Sequence, residues 1–154
     1  VLSADAPQID FACRAESMEK ARALVDEISA LCRRLGKKGV FRVLHYAALE
    51  SECCRYSLAL NATSVGMYPN AGKSIVGESV LARCGAAFDA VYNPGETEFL
   101  RTAGRLGLKT VGGMGMLVCQ AVAAHEIWYG ARFADGDVER LILDAEAETK
   151  RLFA

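Results

Sequence analysis

A glycine-rich turn that runs straight into an apolar helix is the stretch of this sequence best suited to hold a ligand. The turn contains Gly112, Gly113 and Gly115. Glycine lets backbone approach a ligand or another element closely, and a helix that begins at such a turn has unpaired N–H groups. Gln120 follows in a helix that is apolar almost all round and is therefore predicted to be buried. A buried amide without a partner costs about 1–3 kcal/mol, so Gln120 either ties down a loop or binds a ligand.

The cysteines and histidines do not form a metal motif. The six cysteines include no Cys-x-x-Cys, and His45 and His125 lie far from any paired ligands, so zinc-site spacing is missing and no metal is predicted. Three of the cysteines fall in apolar periodic stretches, where a free thiol acts as a small hydrophobe. The sequence therefore predicts a reducing, cytoplasmic setting, and a catalytic cysteine is the less favoured alternative.

Composition and charge narrow the class of protein. The chain has 154 residues, of which 52% are hydrophobic, and a formal net charge of -1. This is about one domain in length, with no basic surface for nucleic acid. It has no apolar run long enough to span a membrane and no visible signal peptide. Neither nucleic acid nor a membrane is a predicted partner.

Strands alternate with helices along the chain. The pattern predicts strands at 8–14, 40–44, 56–60, 86–92 and 108–111, and helices at 17–35, 48–55, 78–84, 97–106, 116–129 and 138–152. The absence of hairpin signals favours an α/β domain with a parallel sheet. Ligands bind outside the carboxyl ends of such strands. We therefore expect the loops at 13–17, 61–67 and 92–95 to converge with the glycine turn on one crevice.

Three segments of the chain together form a recognisable pattern: 61–67 (Asn-Ala-Thr-Ser-Val-Gly-Met), 89–94 (Asp-Ala-Val-Tyr-Asn-Pro) and 113–121 (Gly-Met-Gly-Met-Leu-Val-Cys-Gln-Ala). In their order and spacing they resemble the shikimate dehydrogenase family, including its quinate/shikimate branch. Family members reduce 3-dehydroshikimate to shikimate with NADPH in aromatic amino-acid biosynthesis, or act on quinate or shikimate with NAD. The resemblance implies the cofactor-binding part of such an enzyme. It implies an incomplete Rossmann domain over 1–130 and a C-terminal helix over 131–154 that would pack on a substrate domain.

The resemblance also implies the residues that contact ligands. Those expected at the cofactor are Arg14, Glu16, Ala62, Thr63, Ser64, Ala90, Val91 and Gly113, and those expected at the substrate are Tyr92 and Gln120. Arg14 stands where the family has an Arg that faces the adenosine ribose, and a guanidinium there can pair with a 2′-phosphate. Glu16 stands where the quinate/shikimate branch often has an acid, which favours NAD. NADP is slightly favoured over NAD. Without the resemblance, Arg14 would be a solvated charge at a strand end.

The sequence departs from the family at its front and at two positions. Cys13 replaces an Asn and Gly112 an Asp, while the first strand and the Gly-x-Gly-x-x-Gly loop of a dinucleotide-binding unit have no counterpart before Arg14. The catalytic Lys and Asp of the family have none either. We therefore expect a Rossmann-like parallel sheet with flanking helices that lacks its first strand, has no catalytic residue of its own and binds dinucleotides weakly or not at all.

The edges left by a missing first strand need partners. These hydrogen-bond partners would come from another segment, from a swapped homodimer, or from direct pairing of the strands at 8–14 and 56–60. A non-catalytic paralogue that acts as a binding or assembly module is the alternative function.

Overall fold

The computed structural model describes residues 8–153, which form an α/β protein with parallel strands. The strands are β1 (Gln8–Cys13), β2 (Val40–His45), β3 (Ala59–Asn61), β4 (Ala86–Asp89) and β5 (Lys109–Val111). The helices are α1 (Met18–Arg34), α2 (Tyr46–Ser51), α3 (Glu78–Leu81), α4 (Glu98–Arg105), α5 (Met114–Tyr129) and α6 (Asp135–Phe153). The chain divides into two compact units, one that ends at Cys53 and one that begins at Cys54. The predicted boundary at residue 130 stays a prediction.

The first unit is a parallel β1-α1-β2 arrangement followed by α2. Its two strands pair from Gln8↔Val40 to Cys13↔His45, and α1 packs on β2. Asp10 lies on β1 and faces Arg42 on the neighbouring strand in the same register. The Arg42 Nε donates to Asp10 Oδ1 at 2.9 Å, so a cross-strand partner accounts for an acid whose side chain is only 3% exposed.

The second unit is built on a three-stranded parallel sheet of order β3-β4-β5. Helix α4 packs on β4 and β5, and together these elements bury Phe99, Leu81, Ala103 and Ala87 to 1% exposure or less. Burying a side chain as large as Phe99 contributes about 1.5–3 kcal/mol. The Thr97 side chain caps α4 by accepting from the Leu100 N–H, so the helix begins where the sequence predicts.

The strand orders confirm the predicted fold class. In a doubly wound sheet of order 3-2-1-4-5-6, strands 2 and 3 pair on one side of the first strand, and strands 4, 5 and 6 pair on the other. The sheets β1-β2 and β3-β4-β5 reproduce these two arrangements. Among residues 8–153, β1 and β3 belong to separate sheets, and direct pairing of the strands predicted at 8–14 and 56–60 stays a prediction.

Helix α5 is the main departure from the sequence-based prediction. Within the described part of the chain its one buried residue is Met114, and the side chains of Ile127, Trp128 and Tyr129 are 80%, 72% and 74% exposed. The prediction of a buried helix is therefore wrong for these residues. A helix that is apolar on every side needs cover on every side, and α6 packs along only part of it.

Two smaller predictions also need correction. The helix predicted from residue 17 begins at Met18, after a 3-10 turn over Ala15–Ser17. Ser17 occupies the cap position but makes no side-chain cap hydrogen bond, because its backbone is helical (φ -101°, ψ -5°) rather than extended as capping requires. The strand predicted at 56–60 begins only at Ala59, and Tyr56 forms an isolated bridge with Cys84.

Each helix described between residues 8 and 153 is too short or too polar to cross a bilayer.

Candidate functional site

A buried carboxylate at the end of β4 joins three segments of the second unit. Asp89 is completely buried. Its Oδ1 accepts from Asn61 Nδ2 at 2.9 Å and from the Val91 N–H at 3.0 Å, and its Oδ2 accepts from the Thr97 hydroxyl at 2.6 Å. The carboxylate therefore connects the end of β3, the residues that follow β4, and the first turn of α4.

Asn61 carries this connection into the loop after β3. Its side chain is also fully buried. Its Oδ1 accepts from the Thr63 N–H at 3.0 Å and the Thr63 hydroxyl at 2.8 Å, while its Nδ2 donates to Val65 O at 3.2 Å. The loop that contains three predicted cofactor contacts is thus held from beneath by one amide.

The residues above this amide are exposed, as ligand contacts need to be. Ala62, Thr63 and Ser64 lie on the surface. Gly66 then turns the chain with φ +88°, and a Cβ there would lie 2.9 Å from Lys73 O. Positive φ and close backbone both favour glycine, so Gly66 fixes where the loop turns back.

The glycine turn before α5 fits closely against the end of β4. The Gly113 N–H donates to Val91 O at 3.2 Å, and a Cβ on Gly113 would lie 2.3 Å from Ala90 O. The sequence predicts Gly113 as a cofactor contact, and the structure gives this glycine a packing role against Ala90 and Val91. Gly112 is less crowded, because a Cβ there would lie 3.3 Å from Gly95 O.

The structure therefore brings together the three segments that carry the predicted second-unit contacts. Residues 61–65 and 89–91 meet through Asn61 and Asp89, and residues 90–91 meet the glycine turn through Gly113. Of the residues between them, Val91 is 4% exposed, Ala90 is half-buried and Tyr92 is 42% exposed. Tyr92 is thus available to a ligand at this edge, whereas Val91 offers mainly its backbone.

Gln120 does not have the environment that the sequence predicts. It is exposed on α5, about two helical turns beyond the glycine turn. Its predicted burial is wrong, so the inference that its amide must find a partner within the protein no longer holds. Its role as a substrate contact stays a prediction.

Arg14 and Glu16 lie in the first unit, after β1. The Arg14 Nε lies 3.2 Å from Glu16 Oε1, and the two side chains are 72% and 64% exposed. Exposed ion pairs contribute about 0–1 kcal/mol, so little energy holds these two side chains together. The two residues with opposite implications for cofactor choice are thus direct neighbours.

Titratable groups with shifted pKa values lie outside these ligand loops. Burial raises the pKa of the Cys84 thiol, which donates to Val80 O at 3.4 Å. Burial, and then the nearby Cys13, raise the pKa of Tyr46 in the first unit. Among residues 8–153, no three His, Cys, Asp or Glu side chains gather closely enough to hold a metal ion.

Sequence reasoning missed the joint role of Asn61, Asp89 and Thr97. The sequence predicts Thr97 only as a helix start, and it includes Asn61 and Asp89 only within family segments. In the structure Asn61 and Asp89 end the neighbouring strands β3 and β4 and are partners in their register. Parallel strand ends meet at one edge, so a buried acid and an amide there were candidates for a mutual hydrogen bond.

Comparison with known proteins agrees with the resemblance seen in the sequence. No family model matches the chain. A curated relative, the shikimate dehydrogenase (NADP(+)) of Clostridium perfringens (strain SM101 / Type A), is 46% identical over 89 residues, which are 58% of this chain and 32% of that protein.

Solved structures extend the similarity over most of the chain. A chorismate mutase/shikimate 5-dehydrogenase fusion protein from Clostridium acetobutylicum has a TM-score of 0.74 at 32% identity, covering 92% of this chain and 46% of that chain. A shikimate dehydrogenase in complex with NADP+ has a TM-score of 0.70 at 32% identity, covering 89% and 46%. This chain spans less than half the length of these proteins. In sequence and in fold, the chain is therefore a homologue of part of the shikimate dehydrogenases.

Proposed function

We propose that this chain is the cofactor-binding portion of an NAD(P)-dependent shikimate or quinate/shikimate dehydrogenase. Such an enzyme reduces 3-dehydroshikimate to shikimate in aromatic amino-acid biosynthesis. The observation that carries the proposal is the shared edge at which Asn61, Asp89 and Gly113 hold three loops together. Those three loops are the segments in which the resemblance is concentrated.

The residues at this edge fit a flat nicotinamide ring. Ala62, Thr63 and Ser64 are small and exposed, and the buried amide of Asn61 fixes their backbone. A bound nicotinamide would supply or accept the hydride. Small side chains on a fixed loop, together with the backbone of Ala90 and Val91, would position that ring rather than act on it chemically.

Substrate binding at the same edge involves Tyr92 and Gln120 in our proposal. Tyr92 is 42% exposed, so its hydroxyl can reach a ligand. Gln120 is exposed on α5 and can donate or accept through its amide. Shikimate, 3-dehydroshikimate and quinate all carry several hydroxyl groups, which suit such polar partners.

The choice of cofactor depends on Arg14 and Glu16 in our proposal, with NADP slightly favoured. A guanidinium can bind a 2′-phosphate with two hydrogen bonds, whereas a carboxylate prefers the free 2′-hydroxyl of NAD. The pair is exposed and adjacent at 3.2 Å. A 2′-phosphate could therefore take Arg14 from Glu16 at little cost.

The domain arrangement is part of the same proposal. Residues 1–130 belong to the cofactor domain, and the segment 131–154, which contains α6, packs on a substrate domain. Proton transfer to the substrate oxygen would be the task of that domain, because no residue here is assigned to it. We therefore expect this chain alone to be inactive, and its six free thiols suit a cytoplasmic enzyme.

The test is a titration of the 154-residue chain with NADP+ and NAD+, followed by amide NMR. We expect weak binding whose shift changes cluster at 61–65, 90–92 and 112–115. Arg14→Ala should weaken NADP+ more than NAD+, and Glu16→Ala should do the reverse. Shift changes that avoid all three loops at saturating cofactor would refute the proposal. Oxidation of shikimate, followed at the nicotinamide absorbance, then tests the longer protein made by joining this chain to its upstream coding sequence.

One observation favours the second candidate, a binding or assembly module. The apolar side chains of Ile127, Trp128 and Tyr129 are each more than 70% exposed, which is typical of a protein interaction surface. A homodimer would cover them without any cofactor. Light scattering that shows a dimer of this chain, combined with no dinucleotide binding by the longer protein, would favour this candidate over the enzyme.

A further inference from the structure

The strongest feature outside the ligand contacts themselves is the hydrogen-bond network of Asn61, Asp89 and Thr97. All three side chains are at most 1% exposed, so none of them is placed to touch a ligand. Buried polar groups are costly unless they are satisfied, and these are satisfied by one another and by loop backbone. A network of this kind specifies one arrangement of the segments that it joins.

Only one orientation of the Asn61 side-chain amide satisfies the groups around it. An amide side chain has two N–H donors and one carbonyl oxygen with two acceptor sites. The donors go to Asp89 Oδ1 and Val65 O, and the oxygen takes the Thr63 N–H and the Thr63 hydroxyl. A flipped amide would point N–H groups at the Thr63 N–H and an oxygen at Asp89. The carboxylate therefore sets the amide, and the amide sets the loop.

We propose that Asp89 is a positioning residue that sets both ligand loops at once, with Asn61 and Thr97 as its partners. Through Asn61 it fixes residues 62–65, and through the Val91 N–H it fixes the chain that leads to Tyr92. Through the Thr97 hydroxyl it anchors both to the start of α4, which packs on β4 and β5. That these are cofactor loops rests on the function proposed above, whereas their positioning by the network does not.

The residue types follow from the donors and acceptors present. Asp89 receives three donors, and an ionised carboxylate is an acceptor at both oxygens. Asp89→Asn would retain an acceptor for Asn61 and Val91 but would present N–H groups to the Thr97 hydroxyl. Asn61→Asp would place a second carboxylate 2.9 Å from the first, so its failure to fold would be uninformative. Thr97 is the best position for a test, because valine matches its shape and lacks only the hydroxyl.

The experiment uses the 154-residue chain and measures hydrogen exchange of single amides by NMR. The Thr63, Val65 and Val91 N–H groups are the reporters, because each donates to a side-chain oxygen within or next to the network. The Ala90 N–H donates to a backbone oxygen, Asn61 O, and reports general opening of the sheet. Thr97→Val is compared with Thr97→Ser and with Thr102→Val.

Thr102 provides the matched control. It lies on the same helix at 7% exposure, and its hydroxyl bonds Glu98 and Arg105 rather than the network. We expect Thr97→Val to speed exchange of the three reporters at least tenfold relative to Ala90. Thr97→Ser should stay within about twofold of the original protein, and Thr102→Val should leave the reporters unchanged relative to Ala90. Equal effects of Thr97→Val and Thr102→Val would overturn the proposal, as would a lack of rescue by serine.

A parallel titration with NADP+ separates this proposal from the proposed function. If the original chain binds NADP+, Thr97→Val should raise the dissociation constant at least fivefold and Thr102→Val should not. If neither this chain nor the longer protein made by joining it to its upstream coding sequence binds a dinucleotide, the proposed function fails, and the exchange data still decide whether the network positions the loops.

Discussion

Replacement of Gly113 by alanine tests whether the glycine turn is shaped by its contact with β4. A Cβ on Gly113 would lie 2.3 Å from Ala90 O, 2.6 Å from Ala90 C and 2.8 Å from Val91 O. Side-chain carbons do not approach backbone this closely, so the turn and the end of β4 would have to separate by about 1 Å. Such overpacking costs about 1–3 kcal/mol.

Two further contributions determine how much Gly113→Ala changes the free energy of unfolding. Separation would also break the hydrogen bond from the Gly113 N–H to Val91 O, which contributes about 1 kcal/mol. Gly113 has φ -77°, which alanine adopts readily, so alanine would gain about 0.4–1 kcal/mol through the unfolded state. The clash and the lost hydrogen bond outweigh that gain, and we expect a net loss of about 1–3 kcal/mol.

Gly104→Ala is the matched control. Gly104 lies within α4, and nothing lies within 4 Å of the position that its Cβ would take. Alanine there should stabilise the protein by about 0.5–1 kcal/mol through helix propensity. Urea denaturation followed by far-UV circular dichroism would measure both changes. A Gly113→Ala protein as stable as the original would refute the packing argument and leave ligand contact as the reason for this glycine.

Three further predictions concern charges and thiols. Arg42→Leu removes the guanidinium from the buried Asp10 carboxylate and should destabilise the protein by about 1.5–3 kcal/mol in urea denaturation. Arg42→Lys keeps the positive charge and should cost less; equal losses would mean that the geometry of the guanidinium, and not its charge, stabilises this pair. The raised pKa of Cys84 should make its thiol react slowly with iodoacetamide near neutral pH, and mass spectrometry should find the exposed cysteines at 53, 54 and 119 modified first. The hydrogen bond from Arg151 lowers the pKa of Glu148. This contact therefore adds stability above the ordinary pKa of a glutamate and loses it as the pH falls through the lowered one. An NMR titration in which Glu148 shows an ordinary pKa would contradict this.

The alternation of strands and helices made the fold class predictable. The residues at which the strands begin and end were less predictable. Thr97 caps α4, and Gly107 separates α4 from β5. These two boundaries depend on local chemistry, and the helix predicted at 97–106 agrees with them. Tyr56 and Leu58 have strand-forming side chains, yet β3 begins only at Ala59. Strand pairing depends on the neighbouring β4, and the sequence pattern contains no direct record of that register.

The candidate site was predictable in position but not in construction. The three family segments were located from residue identities, and the structure brings them to one edge. The hydrogen bonds that hold them there join residues 28 positions apart, as for Asn61 and Asp89. Pattern analysis along the chain sees neighbours at spacings of two to four, so a buried pair of this separation is visible only once the sheet order is known.

Helix α5 has an apolar surface that the rest of the described chain does not fully cover. Its apolar surface on all sides requires cover on all sides, yet Ile127, Trp128 and Tyr129 remain exposed. Gln120 belongs to the same discrepancy, because its predicted burial depended on that cover. The chain spans 46% of its structural relatives, so the cover can come from the rest of such an enzyme or from a second copy. In either case Gln120 and the apolar end of α5 should become protected together, because they lie on one helix. Hydrogen-exchange protection of the 114–129 backbone that appears on joining the upstream segment to this chain, and not on raising its concentration, would identify the first of these two as the source.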